Sequence, residues 1–424
     1  MASRAMTPAT TGPGALFRVR QSFPRPRVDA VADAVREQLR RPEVAATLAS
    51  RPTVALAVGS RGIAAIAAVV TATVAELQHQ GCEVFVVPSM GSHGGATADG
   101  QVEVLAHLGI TAEGIGAPIR SSMDVVEVAT VVSAHGNPVR LVMDAIAWDD
   151  ADTVIPVNRI KPHTGFKGPV ESGICKMLAI GLGKHEGARR LHGEGYEVFD
   201  SLILEAGRAI LATGKVGFGL GLVENAYGEL AVIEAMPAAT VIEREQQLLE
   251  AARTLMPGIL LPVVDVLVVE EFGKNISGVG MDANVTGRGE MGVALPGFAG
   301  PKIARIVVLG LTAETGGNAH GIGLADVITE RAFGQIDRHA TWTNALTAGS
   351  LACGRIPIAR PTEAEAIASA IHSLPGVAPE QARIVRIKNT LHLFEIAVAE
   401  NLVDACRSVP GMEVVGEWDG TWAG

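Results

Sequence analysis

The chain has 424 residues, which is long enough for two or three domains. Lysine and arginine number 35 and aspartate and glutamate 45, so the formal net charge is −10, which argues against a nucleic-acid-binding surface. Hydrophobic residues make up 48% of the chain and charged residues 19%, a balance that excludes disorder as the main state. Glycine is frequent, with 49 residues, and aromatic residues are scarce at 4%, as suits an α/β enzyme with many turns.

The first half of the chain alternates apolar strand-like runs with loops and helix-like segments. Residues 53–58 (TVALAV) form a β-branched run that ends at the loop Gly59-Ser60-Arg61-Gly62. Further along, Thr97 is a predicted helix N-cap. We predict strands over 53–58, 83–88, 139–143 and 153–157, and helices over 63–79 and 101–108. Such alternation is typical of a parallel or mostly parallel sheet.

A turn at Pro257-Gly258, followed by a new apolar run, indicates a second structural unit. In this part we predict strands over 263–269, 303–309 and 382–387 and a helix over 363–373. The predicted class is therefore α/β, with two α/β domains, mostly parallel sheets and an active-site cleft between them. The domains are predicted over 1–255 and 256–401, and the tail 402–424 is expected to pack back on the first domain.

Cysteine usage and the lack of long apolar runs suggest the compartment. The four cysteines are far apart and form no CxxC pair, so a disulfide framework is not expected and a reducing cytoplasm is the expected location. No uninterrupted run of 18 apolar residues occurs, so we expect no membrane span. The first residues have no apolar core of the length that a signal peptide needs.

Ligand sites in open α/β sheets lie at the carboxyl ends of strands, which directs attention to the polar loops there. The loop SMGSHGGA presents His93 between glycines as a candidate general base, or as a histidine satisfied by backbone. The loop after residue 58 offers Arg61 to a carboxylate or phosphate, or to a structural ion pair. In the second half, EFGKNISG places Lys274 in a glycine-flanked loop, where a solvated lysine is the alternative.

The segment NRIKPHTGFKGPVESGICKMLAIGLGKHEGARRLH, residues 158–192, is the most informative part of the chain. A proline and a glycine force a loop around His163. Lys176 stands in the apolar run CKMLAI, where a lysine either shifts its pKa and takes part in covalent chemistry or extends to the surface. His185 and His192 share one helical face if the stretch is helical, a weak metal signal by itself.

Together these loops resemble the lactate racemase family, the nickel-pincer-nucleotide enzymes, over about residues 51–401. The resemblance is most specific in SMGSHGGAT, in KPHTGF with GICKMLAIGLGKHEGARRLH, and in EEFGKNISGVGMD. It implies a cofactor, the nickel complex of a pyridinium-3-thioamide-5-thiocarboxylate mononucleotide, bonded covalently to Lys176, with Ser60 also at the cofactor. His192, sixteen residues after this lysine, is the implied protein ligand to nickel, and His185 is the second choice.

The resemblance also implies roles for the other candidate residues. His93 and His163 match the two acid/base histidines of the family, and Arg61 and Lys274 match the residues that orient the substrate carboxylate. In this chemistry the hydrogen on the hydroxyl-bearing carbon leaves as hydride to the cofactor and returns to the opposite face of a flat 2-keto acid. Each face then needs its own base for the hydroxyl proton.

The chain departs from the family pattern near the cofactor lysine. The stretch from His163 to Lys176 is longer than in lactate racemase, and ESGICK lacks the double glycine. These departures indicate a substrate other than lactate. The resemblance therefore implies an isomerase, a racemase or epimerase of a different 2-hydroxy acid.

Two other functions stay open from the residues. A metal-dependent hydrolase or lyase would bind its metal directly through His93, His163 and His192, and a non-catalytic relative would bind a ligand on the same fold. The expected partners are a small 2-hydroxy acid and the enzymes that mature the cofactor, with neither nucleic acid nor membrane. Protein made in another host is expected to lack the cofactor where those enzymes are missing. The sequence leaves the oligomeric state open, a homo-oligomer included.

Overall fold

The computed structural model describes residues 14–59, 62–290 and 292–422. Within them the chain forms two compact units. The N-terminal unit is Pro24–Met256, and the C-terminal unit combines the described parts of Met1–Phe23 and Pro257–Gly424. Both units are of the predicted α/β type.

The strands of the described residues, in chain order, are β1 (Leu16–Gln21), β2 (Thr53–Val58), β3 (Glu83–Pro88), β4 (Val125–Val132), β5 (Pro138–Asp144), β6 (Thr153–Arg159), β7 (Phe218–Glu224), β8 (Leu230–Pro237), β9 (Val263–Val269), β10 (Lys302–Val308), β11 (Val327–Thr329), β12 (Ile358–Arg360), β13 (Ile384–Ile387), β14 (Glu395–Ala399) and β15 (Met412–Glu417). The α-helices of the N-terminal unit are Val31–Leu39, Pro42–Ala45, Ile66–His79, Ala98–His107, Ala112–Ile115, Ala145–Asp149, Ile174–Lys176, Lys184–His192, Phe199–Leu211 and Val241–Leu255. Those of the C-terminal unit are Ala283–Thr286, Glu330–Gln335, Arg338–Thr347, Glu363–His372 and Val403–Ser408.

The main sheet of the N-terminal unit has the order β3-β2-β6-β7-β8. Neighbouring strands from β3 to β7 pair in parallel, and β8 adds an antiparallel edge. Alternate residues of β2 pack into two hydrophobic clusters, Ala55 and Ala57 into one and Val54, Leu56 and Val58 into the other. Both faces of the sheet are therefore covered, which explains why this strand is continuously apolar.

The C-terminal unit is built on a sheet with the order β12-β11-β10-β9-β13-β14-β1-β15. The strands from β12 to β13 are parallel, and β14, β1 and β15 extend the sheet in antiparallel fashion. The sheets are thus mostly parallel in their centres, which confirms the predicted fold class.

The chain termini differ from the predicted domain assignment. Residues 14–23 were expected in the first domain, but β1 lies in the sheet of the C-terminal unit, between β14 and β15. The tail was expected to pack on the first domain, and its strand β15 instead pairs with β1. An edge strand exposes a row of unpaired backbone groups, and β15 satisfies those of β1. This pairing joins residues about 400 positions apart, and no local sequence pattern reports it.

Several predicted elements are confirmed with their bounds nearly unchanged. The strands predicted over 53–58, 83–88 and 263–269 are observed at those residues. The predicted cap Thr97 accepts a hydrogen bond from the Gly100 N–H, and its helix begins at Ala98 instead of residue 101. The helix predicted from residue 63 begins at Ile66 because Ala65 adopts a left-handed φ of 51°.

Two further observations concern the predicted compartment. Within the described residues, no helix has both the length and the apolar character needed to cross a bilayer. The four cysteines, all of them described, are buried and free of disulfides.

Candidate active site

The strand order of the N-terminal unit creates a crevice at the carboxyl ends of β2 and β6. The chain runs from β2 to β3 on one side and places β6 on the other side of β2, so the segments that follow β2 and β6 leave in opposite directions. In doubly wound sheets, ligands bind at such a switch point. The segment that follows β6 contains the basic stretch that the sequence analysis singled out.

The loop that carries His163 is held by a buried carboxylate, Glu171. This carboxylate is fully buried and accepts a hydrogen bond of 2.5 Å from the His163 backbone N–H. It also binds Arg253 at 2.6 Å, from the helix Val241–Leu255, and Lys167 at 3.2 Å. A buried carboxylate with these partners fixes the loop relative to the helix. The sequence analysis missed Glu171, because its partner Arg253 lies 82 residues away.

Lys176 and His163 form the centre of the site, with Nζ of the lysine 2.6 Å from Nε2 of the histidine. The other ring nitrogen, Nδ1, accepts a hydrogen bond of 3.0 Å from the Gly165 N–H. A neutral imidazole that accepts at Nδ1 carries its proton on Nε2 and donates it to Nζ. The contact therefore places the lysine nitrogen within proton-transfer distance of the imidazole.

The backbone around Lys176 is placed by close packing on the sheet. Lys176 ends the short helix Ile174–Lys176 and is followed by a π-helical turn, Met177–Gly181. The Asn158 side chain, near the end of β6, donates a hydrogen bond of 2.7 Å to the Gly173 carbonyl. A Cβ atom at Gly219, in β7, would lie 2.9 Å from the Ile174 side chain. The glycine therefore lets the helix approach the strand closely.

His192 is the last residue of the helix Lys184–His192 and is partly open to solvent. Its Nδ1 is 2.7 Å from the Ala188 carbonyl, so Nδ1–H donates and Nε2 keeps a free lone pair. Desolvation against its neighbours lowers the His192 pKa, and the charge of Lys176 lowers it further. The imidazole is therefore neutral near neutral pH, as a metal ligand must be. His185, the second choice, is exposed on the same helix.

A row of aromatic rings connects the two histidines. The His163 ring lies 4.5 Å from that of Phe166, and Phe166 lies 5.3 Å from Phe199 in an edge-to-face arrangement. Phe199 in turn lies 5.0 Å from His192. These contacts bring His163, Lys176 and His192 together in one site, with an apolar wall that desolvates the polar groups.

The loop with His93 is attached to the same site by a buried polar network. Gln101 donates to the carbonyl of Gly91 at 2.9 Å and to that of His93 at 3.3 Å. Its Oε1 accepts from Lys184 Nζ at 3.1 Å, and Lys184 pairs with Asp144 at 2.8 Å. The Lys184 and Asp144 side chains are both 0% exposed. The His93 side chain itself is exposed, and the network positions its backbone.

This role of Lys184 was not predicted from the sequence. The sequence offered one signal, the position of Lys184 directly after GLG. In the structure this lysine adopts a left-handed φ of 54°. A lysine rarely takes this conformation unless tertiary contacts hold it there. Burial lowers the Lys184 pKa, and Asp144 opposes that shift.

A second buried carboxylate, Glu245, lies beneath the Lys176 segment. It accepts a hydrogen bond of 2.9 Å from the Cys175 N–H, while its Oε1 has no hydrogen-bond partner in the described residues. A Cβ atom at Gly173 would lie 2.0 Å from this oxygen, so the position requires glycine. Desolvation raises the pKa of Glu245 to about 7, although the Cys175 N–H opposes the shift. Glu245 was also missed, since it lies 70 residues from its partner.

We expect Glu245 to make stability depend on pH. Above its ordinary value of 4.5 the carboxyl ionises in the unfolded chain but stays protonated in the folded chain up to about pH 7. The folded state then binds more protons, so the free energy of unfolding falls as pH rises through this window. Urea unfolding between pH 4.5 and 7 should show this fall in the wild type and a smaller fall in Glu245→Gln. The exposed control Glu243→Gln keeps Glu245 and should show the same fall as the wild type. Equal slopes in all three proteins would contradict the assignment.

The remaining predicted residues lie elsewhere. Ser60 and Arg61 lie outside the described residues. Lys274 belongs to the C-terminal unit, where its ammonium group contacts the Asn344 side chain and its backbone N–H donates to Thr315 at 3.2 Å. The structure thus brings Lys176 and His163 into contact, connects His192 to His163 through Phe166 and Phe199, and describes Lys274 in the other unit.

The alternative of a directly bound metal lacks the necessary grouping. Across residues 14–59, 62–290 and 292–422, no three His, Cys, Asp or Glu side chains come together as metal ligands. A structural or catalytic zinc site needs at least three protein ligands. This geometry does not support a metal centre built from His93, His163 and His192.

Comparison with known proteins bears on the fold. No family model and no curated protein matches the chain. Among solved structures, the chain is similar to the lactate racemase apoprotein from Thermoanaerobacterium thermosaccharolyticum, with a TM-score of 0.52 and 11% identity over 89% of this chain and 99% of that one. A protein from Thermotoga maritima is similar with a TM-score of 0.52 and 12% identity, over 88% and 99% of the two chains. At this identity the similarity establishes the fold, and it confirms the predicted resemblance at that level.

Proposed function

We propose, from the lactate-racemase-like fold of this chain, that it is an isomerase, a racemase or epimerase of a 2-hydroxy acid that uses a nickel-pincer nucleotide. The observation that carries the proposal is the contact between Lys176 Nζ and His163 Nε2, 2.6 Å apart, with His192 close enough for the lysine to lower its pKa. Fold similarity alone does not assign an activity, so the argument depends on these side chains.

The residues present fit the cofactor. A lysine amine makes a covalent bond to a carbonyl carbon in its neutral form, and Lys176 Nζ lies 2.6 Å from His163 Nε2, a group that can take its proton. The Nε2 lone pair of His192 is free because Nδ1–H donates to the Ala188 carbonyl, which also fixes the ring orientation. Lys176 would therefore hold the organic part and His192 the nickel. The enzymes that mature this cofactor are then required partners of the chain.

The cofactor, when bound, supplies a hydride acceptor and donor, and the chain supplies proton transfer and orientation. His163 takes or returns the hydroxyl proton at Nε2, and its loop is held by Glu171 so that this atom is fixed in place. His93 serves the other stereoisomer from the separate loop that follows β3. Arg61 and Lys274 orient the substrate carboxylate, and the departures near Lys176 favour a 2-hydroxy acid other than lactate.

Two bases are required because the two enantiomers present their hydroxyl groups differently to one bound cofactor. Each proton transfer of this kind is worth a factor of about 10² to 10⁴ in rate. The substrate carbon loses and regains its hydrogen on opposite faces, so one histidine acts as base when the other acts as acid. His93 and His163 follow different strands, β3 and β6, which allows approach from separate directions.

Variants of the two histidines test this proposal. Both His93→Ala and His163→Ala are expected to lose racemisation in both directions by about 10²-fold or more, since the forward and reverse reactions share both proton transfers. In single turnovers of the cofactor-loaded protein, each variant should still oxidise one enantiomer, and the two should prefer opposite enantiomers. The cofactor absorption in a stopped-flow experiment measures this half-reaction.

The exposed histidine His372 provides a control, and His372→Ala should behave like the wild type. Loss of the same enantiomer's half-reaction in both histidine variants would contradict a two-base arrangement. Full racemisation in either variant would contradict the proposed role of that histidine.

A further inference from the structure

The C-terminal unit has a cavity of about 530 Å³ at the carboxyl ends of its parallel strands. This volume is within the usual range for small-molecule sites. Its lining residues come from the segments that follow β9, β10 and β13, together with the helix Glu330–Gln335. In the sheet, β9 lies between β10 and β13. The chain passes from β9 to β10 on one side of β9 and returns from β12 to β13 on the other side, so the strand order reverses at β9. The cavity therefore occupies the second switch point of the fold, a position where ligands bind.

Two of the cations that line this cavity, Arg331 and Lys388, have no carboxylate partner among the described residues. The Nε of Arg331 donates to the Leu309 carbonyl at 3.2 Å, and its guanidinium lies so close to Gly310 that a Cβ there would be 2.9 Å from Nη2. Lys388 follows β13 directly. Neither side chain forms an ion pair with any of the described residues. A guanidinium held in this way is arranged to bind a carboxylate.

The acidic groups of the cavity differ in how they are compensated. Glu270 is neutralised by Arg386, at 2.5 Å, and also accepts a hydrogen bond from Trp422 at 2.7 Å. Glu271 accepts a hydrogen bond of 2.7 Å from the Asn389 amide and forms no ion pair with a cation among the described residues. Burial lowers the pKa of the neighbouring His392, Lys388 lowers it further and Glu271 opposes this. The uncompensated ammonium and carboxylate therefore lie near the same ring.

We propose that this cavity binds a small dicarboxylic acid that also carries a hydroxyl or ammonium group. The two carboxylates satisfy Arg331 and Lys388, and the third group donates to Glu271. A ligand without carboxylates would leave both cations unpaired, and one without the donor would place its charge against Glu271 with no compensation. The site depends only on residues of the C-terminal unit, so it stands independently of the proposed racemase.

Isothermal titration calorimetry of the full chain with three four-carbon dicarboxylic acids tests the proposal. Succinate has two carboxylates and no donor, malate adds a hydroxyl group, and aspartate adds an ammonium group. We expect malate or aspartate to bind at least tenfold more tightly than succinate. Arg331→Ala and Lys388→Met should each weaken that binding at least tenfold, whereas the exposed control Arg338→Ala should leave it unchanged.

Binding measurements on two further variants test which group of the ligand contacts Glu271 and whether binding is independent of the proposed active site. Glu271→Gln should weaken aspartate binding more than malate binding, because the variant loses the charge that pairs with an ammonium group but keeps an oxygen that accepts from a hydroxyl group. Binding should persist in Lys176→Ala, so failure of the racemase proposal leaves this result intact. Equal affinity for succinate, tighter binding of inorganic phosphate than of any of the acids, or unchanged binding in Arg331→Ala would overturn the proposal.

Discussion

Replacing Lys176 with alanine is expected to abolish both cofactor attachment and racemisation. Wild-type protein produced with the maturation enzymes and nickel should show a covalent mass increment in intact-protein mass spectrometry, and Lys176→Ala should show none. Activity should fall by about 10³-fold or more, as when an enzyme loses the group that makes its covalent bond. The reason is that the proposal makes Nζ, which lies 2.6 Å from His163 Nε2, the atom that bonds to the cofactor.

The exposed lysine Lys302 provides the matched control, because Lys302→Ala removes an amine without touching the site. It should keep the mass increment and the activity. A mass increment that survives in Lys176→Ala would show that the cofactor is attached elsewhere, and the assignment would then fail. Metal analysis of His192→Ala completes the test, since nickel should be lost while the organic increment on Lys176 is retained.

Lys184→Met is expected to have the largest effect on stability. Lys184 and Asp144 form a fully buried ion pair at 2.8 Å, and Lys184 also donates to the Pro88 carbonyl at 2.6 Å. Removal of one partner leaves an uncompensated buried carboxylate, which typically costs about 3–5 kcal/mol. Urea unfolding at neutral pH measures the loss. Activity should also fall, because the same ammonium supports Gln101, which holds the His93 loop.

A second variant separates the lost charge pair from lost packing. In Lys184→Met with Asp144→Asn, the buried charge is removed from both sides, while the amide oxygen can still accept from the Ala147 N–H that Asp144 caps at 2.9 Å. The double variant should be more stable than Lys184→Met alone. If the single variant unfolds at the wild-type urea concentration, the buried pair contributes no stability and the argument is wrong.

Much of the fold was predictable because it depends on residues that are close in the chain. The strands 53–58 and 83–88 are continuous apolar runs between glycine-rich loops, and Thr97 is a local cap. Of the hairpin of β4 and β5 only β5 was predicted, because β4 has no fully buried residue and mixes polar with apolar positions. The placement of both termini in the first domain was wrong, because β1 and β15 pair with each other in the C-terminal sheet although they lie at opposite ends of the chain.

In the candidate site, too, the residues that are close in the chain were predicted and those that depend on distant partners were not. His163, Lys176 and His192 were predicted from one continuous segment, because its glycines, its proline and its lysine within an apolar run can be recognised from neighbouring residues. In the structure Lys176 contacts His163 and lies close enough to His192 to lower its pKa. The residues that hold them were missed. Glu171 with Arg253 and Glu245 with Cys175 join positions 82 and 70 residues apart.

Sequence patterns alone were enough to predict the α/β class, the central strands and the segment 158–192 that carries the candidate site residues, because hydrophobic periodicity, caps and glycine stops act over a few residues. The three-dimensional arrangement was needed to show which buried charges compensate one another, which strand closes the C-terminal sheet and which cations of the second cavity have no partner among the described residues. The physical reason is that desolvation and ion pairing depend on distances in space. A carboxylate such as Glu245 acquires its raised pKa from burial, which its neighbours in the chain do not encode.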